Sequence, residues 1–113
     1  SYNDQMQMIV KEGFVSHAAN GNYLIAERFA ESLVFVSDKR IPLTPKECDL
    51  LFLLARYNGK AFSRQELLDK IWGFDYYGDE RTVDTHIKML RNNLGPYRKY
   101  IVTLRGLGYK LEL

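Results

Sequence analysis

The chain carries one cysteine, Cys48, which excludes an internal disulfide framework and any thiolate zinc cage. Its longest apolar run, Leu50 to Ala55, falls far short of the roughly 20 residues that a membrane-spanning helix requires. No charged-then-apolar signal segment opens it, and no initiator Met begins it, so it reads as a fragment of a protein from a reducing, cytoplasmic compartment. No Ser/His/Asp set, pair of acids or metal-ligand cluster emerges, and His17 has no ligand partner at a useful spacing. There is no internal repeat, no low-complexity segment and no cofactor motif; Gly106-Leu107-Gly108 lacks the rest of a dinucleotide fingerprint. No metal or cofactor is expected, and a chain this small without such motifs argues against an autonomous enzyme.

What is present suits a folded domain. The 113 residues are 46% hydrophobic and 27% charged, too apolar for disorder and long enough to bury a core without staples. Net charge is only +2, too small to argue for a nucleic-acid partner by itself, but it is unevenly placed. Residues 81–113 hold seven lysines and arginines against two acids, whereas residues 1–43 are net negative by one. A basic C-terminal third fits a phosphate-binding face, and equally a solvated surface of uneven charge.

The period of the apolar residues changes along the chain. Met6–Val10 alternates, Leu33–Val36 is a short apolar run, and Asn20-Gly21 is a hairpin signal because both residues tolerate positive φ. Residues 1–43 therefore predict an antiparallel sheet of three to five strands, with Glu27–Ser32 open between a turn and an irregular helical piece. Thr44-Pro45-Lys46-Glu47 then reads as a capping box opening a first helix, which Asn58-Gly59 ends. Cys48, among the leucines of this helix, reads as packing rather than a redox sensor. Ser63-Arg64-Gln65-Glu66 is a second capping box, and its helix runs through Trp72 to Gly73. An aromatic, acidic loop, Phe74–Glu80, precedes a third helix over Arg81–Leu94, stopped by Gly95-Pro96. Two strands, Tyr100–Arg105 and Tyr109–Leu113, enclose Gly106-Leu107-Gly108. Three helices and a hairpin make a winged helix-turn-helix arrangement of α+β class.

On the third helix Val83, Ile87, Leu90 and Leu94 form the apolar stripe. Thr85, Lys88, Met89 and Asn92 form the opposite one, with Arg81, His86 and Arg91 on its flanks, and Asp84 placed to hold Lys88 one turn on. Thr and Met suit a thymine methyl, Lys suits guanine acceptors, and Asn suits adenine. Fourteen residues at ~1.5 Å each give about 20 Å, long enough to lie in a major groove. An ordinary amphipathic helix with a solvated face would look the same. Thr103 and Arg105 share a strand face at the hairpin tip, within reach of a phosphate and a minor groove.

Five motifs in order carry a more specific signal: Leu43–Glu47, Ser63–Leu68, Ile71-Trp72-Gly73, Arg81–Ile87 and Arg105–Tyr109. Together they resemble the DNA-binding effector domain of bacterial OmpR/PhoB-family two-component response regulators, closely over residues 33–113 and loosely before that. The resemblance implies one winged-helix domain over residues 1–113: an N-terminal sheet (1–43), three helices (44–95) and a wing hairpin (100–113). It implies double-stranded promoter DNA bound as a head-to-tail pair on direct repeats, a second copy on the adjacent half-site, and a preceding receiver domain served by a sensor histidine kinase. Position by position it implies backbone contacts at Trp72, Arg81, His86, Arg91, Thr103 and Tyr109. It implies base contacts at Thr85, Lys88, Met89 and Asn92, and a minor-groove arginine at Arg105. Tyr76, Tyr77, Asp79 and Glu80 fall in the loop that some members present to RNA polymerase. Met89 stands where relatives often carry a basic residue, so their base preference does not transfer. The rival readings are a winged-helix protein-interaction module, and the output domain of a receiver-less or membrane-anchored regulator.

Overall fold

The computed structural model describes the backbone of residues 10–11, 14–20, 23–28, 34–36 and 39–113, and side chains from Arg40 onward. Among these residues the first five strands are β1 (Val10–Lys11), β2 (Phe14–Asn20), β3 (Tyr23–Arg28), β4 (Val34–Val36) and β5 (Lys39–Ile41). All their pairings are antiparallel, but they form two sheets rather than the single sheet expected, ordered β1-β2-β3 and β4-β5. Asn20 pairs with Tyr23, so the Asn20-Gly21 hairpin lies where its turn chemistry put it. The register of β2 shifts between Ser16 and Ala18, at His17. Glu27 and Arg28 belong to β3; residues 29–33 and the expected strand start at Met6–Ile9 lie outside the described residues.

The three helices are α1 (Pro45–Arg56), α2 (Arg64–Ile71) and α3 (Arg81–Leu94). Thr44 caps α1 by accepting from the Glu47 N–H, with Pro45 pre-set for the first turn. The reciprocal half of that capping box is missing. Glu47 is fully buried, and its carboxylate accepts instead from the Thr44 hydroxyl at 2.9 Å and from Asn93 Nδ2, near the end of α3, at 2.6 Å. A buried carboxylate needs such donors, because an unsatisfied one is costly. In α2 the box is complete, with Ser63 and Glu66 each bonding the other's backbone. Lys46 reaches across from α1 to donate to the Ile71 carbonyl at 2.9 Å, a cation at the C-terminal end of α2.

The core joins Cys48, Leu50, Leu51, Phe52, Leu54 and Ala55 of α1, Leu67 and Leu68 of α2, and Val83, Ile87, Leu90 and Leu94 of α3 to Ile41, Phe62, Ile101, Tyr109 and Leu111. Cys48 is thus core packing. After α3 the chain tightens into a 3₁₀ helix over Gly95–Tyr100 instead of breaking at Gly95-Pro96. The wing strands are β7 (Ile101–Leu104) and β8 (Gly108–Leu111), and β8 also pairs with a two-residue strand, β6 (Phe62–Ser63), giving the order β6-β8-β7. Gly106, at φ +76°, takes the turn position that favours glycine. Gly108 serves a different purpose. A Cβ there would lie 2.0 Å from the Phe62 carbonyl oxygen, so glycine is what lets β8 approach β6. Among the described residues no helix is long and apolar enough to cross a membrane.

Candidate nucleic-acid interface

The burial of α3 divides it cleanly. Val83, Ile87, Leu90 and Leu94 are buried, and Thr85, Lys88, Met89 and Asn92 are exposed. Met89 is 39% exposed, a large apolar side chain left in water by a helix that has buried the rest. The Thr85 hydroxyl donates back to the Arg81 carbonyl at 3.1 Å, which leaves its oxygen lone pairs and methyl for other contacts.

Asp84, the one acid on α3, does not hold Lys88 as its spacing suggests. Its carboxylate takes two hydrogen bonds from Arg64, Nε to Oδ1 at 3.1 Å and Nη2 to Oδ2, and a third from the Tyr109 hydroxyl to Oδ1 at 2.6 Å. Arg64 also pairs with Glu80 at 3.5 Å. The first turn of α2, α3 and wing strand β8 therefore meet on one carboxylate. The Arg64 N–H adds a clip to the Leu107 carbonyl at 3.2 Å. The Asp84 hydrogen bond raises the Arg64 guanidinium above its ordinary value. Lys88 has no ion-pair partner among the described residues.

The residues expected to touch phosphates fall into three groups. Trp72 and His86 sit together, their rings edge to face at 4.9 Å, with the Lys46 ammonium 5.6 Å from the indole and Tyr76 beyond it at 6.3 Å. Arg91 and Thr103 also meet. The Arg91 guanidinium donates to the Ile101 carbonyl and to the Thr103 hydroxyl, each at 2.7 Å, and lies over the Tyr109 ring at 5.6 Å. Desolvation lowers its pKa from the usual arginine value. This is a brace between α3 and the wing.

Tyr109, the wing tyrosine expected at a phosphate, is engaged inside the domain. Only 8% exposed, it spends its one hydroxyl hydrogen on Asp84, and a phosphate can only accept. Burial first, then that hydrogen bond, pushes the phenol up to about 12.

Arg81 is exposed, yet it is engaged by an acid that the sequence placed on a different surface. Its Nε and Nη2 donate to Asp79 Oδ2 at 3.1 and 2.8 Å, and its N–H donates to Asp79 Oδ1 at 2.8 Å. The loop residues make different contacts. Asp79 turns to Arg81, Glu80 to Arg64 and Tyr76 toward Trp72, whereas Phe74, 89% exposed, and Tyr77 project into solvent. Arg105, at the wing turn, is exposed with no partner among the described residues. Arg64 and Asn93 are the residues that sequence reasoning missed. Their partners lie 20 and 46 positions away, beyond any local spacing.

A three-helix unit whose third helix is braced to a β-hairpin is a winged-helix domain. A family model described as "Transcriptional regulatory protein, C terminal" matches residues 38–111. The heme response regulator HssR of Staphylococcus aureus is 45% identical over 94 residues, covering 81% of this chain and 41% of that protein. Among solved structures, the Thermotoga maritima response regulator DrrB, an OmpR/PhoB homolog, is 32% identical with a TM-score of 0.70, covering 91% of this chain and 46% of that one. The Klebsiella pneumoniae RstA DNA-binding domain, solved in complex with the RstA box, is 25% identical with a TM-score of 0.66, covering 94% and 97%. The chain belongs to this family, as a DNA-binding domain of the OmpR/PhoB response-regulator type. It spans less than half the length of the curated relatives it matches.

Proposed function

We propose that this chain binds double-stranded promoter DNA in a sequence-dependent way, as the output domain of a two-component response regulator. In this reading α3 enters the major groove with Thr85, Lys88, Met89 and Asn92 toward the bases. Trp72, His86 and Arg81 meet phosphates, and Arg105 enters an adjacent minor groove. The observation that supports it best is the fate of Asp84. A carboxylate on a DNA-facing helix repels phosphate, and the only one on α3 is taken up by Arg64 and Tyr109, which leaves Lys88 unopposed. Arg91, Thr103 and Tyr109 then act as positioning residues that hold the wing against α3.

The wider reading follows the family. A second copy occupies the adjacent direct repeat, a receiver domain and its kinase supply the signal, and Phe74 and Tyr77 of the loop face RNA polymerase. The domain works in the cytoplasm by binding, without catalysis of its own. The rival, a protein-interaction module, is separated by a mobility-shift titration on a nonspecific duplex at low and high salt. A DNA reader loses affinity steeply as salt rises, because each phosphate contact releases counterions. Binding that ignores salt, or no binding, overturns the proposal.

A further inference from the structure

His86 stands on the flank of α3 with its Nδ1 2.8 Å from the Thr82 carbonyl, one turn back. A carbonyl oxygen can only accept, so Nδ1 carries the hydrogen of that bond. In a neutral imidazole with a protonated Nδ1, the second nitrogen, Nε2, is a lone pair. A phosphate diester oxygen also only accepts. The ring therefore has two acceptors to serve, Thr82 on one side and the proposed phosphate on the other, and a neutral ring has one hydrogen for both.

No negative group among the described residues is directed at the ring. From the end of α2 the ring is faced by Trp72, which does not ionise. Behind that indole lie the Lys46 ammonium of α1, which opposes a positive ring, and the Tyr76 phenol of the loop. On α3 itself the nearest charged groups are Asp84, held by Arg64 and Tyr109, and Lys88, which also opposes a positive ring. Among the described residues no carboxylate pairs with His86.

We infer that His86 meets its phosphate as an imidazolium, so that one proton binds to the domain together with the duplex. The inference rests on the DNA-binding reading and adds the ionisation state of one contact. Linkage sets its sign. A ligand that prefers the protonated ring raises the ring's pKa on binding, so affinity is greatest on the acid side and falls as pH rises through the histidine range. DNA affinity then depends on pH near neutrality with no change of fold.

The test uses the whole chain and a fluorescein-labelled nonspecific duplex of about 20 base pairs at fixed ionic strength, titrated between about pH 5.5 and 8.5. The dissociation constant is expected to rise with pH, approaching tenfold per unit at its steepest. His86→Gln, which donates a hydrogen bond without titrating, should flatten that slope, and His86→Lys should be flat and tight. His17→Gln, altering the only other histidine, should keep it. A wild-type affinity that is salt-dependent but flat in pH, or a slope that survives in His86→Gln, overturns the inference and leaves DNA binding standing. Affinity without salt dependence at any pH overturns both. A measurement on the unsubstituted chain guards against a variant that fails to fold. Ring nitrogen NMR of the complex should show both His86 nitrogens protonated at a pH where the free ring is neutral, and a neutral ring in the complex sinks the idea.

Discussion

Two arginine–aspartate pairs flank the start of α3, and they are alike in chemistry and unlike in surroundings. In Arg64–Asp84 the side chains are 34% and 39% exposed, and the carboxylate is shared with the largely buried Tyr109. In Arg81–Asp79 they are 84% and 59% exposed, and the partners are only two residues apart. The first pair joins elements distant in sequence and is shielded enough to fix their geometry. The second is a surface contact between neighbours, where water and salt compete with it and its net worth is small. An ion pair that fixes structure and one that merely occupies an arginine are told apart by what else shares the carboxylate. The wing side of α3 is thus pre-organised, while its N-terminal edge is held only by a surface pair, which in the proposed function would give way to a phosphate.

The sharpest way to break this contrast is to dismantle the wing side. Gly108→Ala puts a methyl 2.0 Å from the Phe62 carbonyl oxygen, which is backbone and cannot swing aside. Separating β6 from β8 should cost about 1–3 kcal/mol or more. Thermal unfolding should show a large drop in Tm with α3 retained in the folded state. A Tm like that of wild type would mean the β6–β8 contact does not hold the wing.

Tyr109→Phe is gentler, removing one hydrogen bond to Asp84 and nothing else. It should cost about 1 kcal/mol. The phenol sits higher in the folded state, about 12, than its ordinary value of 10.0, so the folded chain keeps its proton over a range where the unfolded chain has lost it. Stability is therefore fully present below about pH 10 and is lost as pH rises toward about 12. Denaturant titrations across that window should show the alkaline loss in wild type and not in the variant. An identical loss in both would assign it to other groups.

How much of this could be read beforehand follows from the range of the interactions. The ends of α3 were legible because apolar spacing, Gly95 and the acidic loop all act within a few residues. The exposed stripe of α3 followed from the buried one. The strand β6 was not legible, since two residues have no periodicity and Phe62 reads as well before a helix as in a strand. Glu47 looked like half of a capping box because its spacing from Thr44 is right. Its true partner, Asn93, is 46 positions on and no local rule points to it. The Tyr109–Asp84 bond was not legible for the same reason: the resemblance supplied a position, and only the packing shows where its hydroxyl hydrogen goes.

Arg105 probes the other end of the pre-organised wing. With no partner among the described residues to lose, Arg105→Ala should leave Tm near wild type. On DNA it should reduce the slope of log affinity against log salt by about one contact. Its loss should be larger on A·T-rich flanks, where the minor groove is narrow and most electronegative, than on G·C-rich ones. Arg105→Lys should recover only part, because an ammonium sheds its water less readily. A loss indifferent to the flanks reduces Arg105 to a phosphate clamp.

The smallest effect is the one that decides between the two pairs. Asp79→Asn keeps an oxygen able to accept from the Arg81 N–H and removes the charge that holds the guanidinium. The Arg81 hydrogen bonds hold the Asp79 carboxyl below its ordinary value, so the charge is present at neutral pH and competes there with any phosphate. Releasing Arg81 should leave the Tm close to wild type and tighten binding to a nonspecific duplex by no more than about fivefold, the range of an exposed pair. The gain should shrink as salt rises, since both competitors are screened. Arg81→Ala should erase it, because Asp79 then has nothing to withhold. Weaker binding in Asp79→Asn would reverse the assignment: Asp79 would be aiming Arg81 at the duplex, and the exposed pair would prove as structural as the half-buried one.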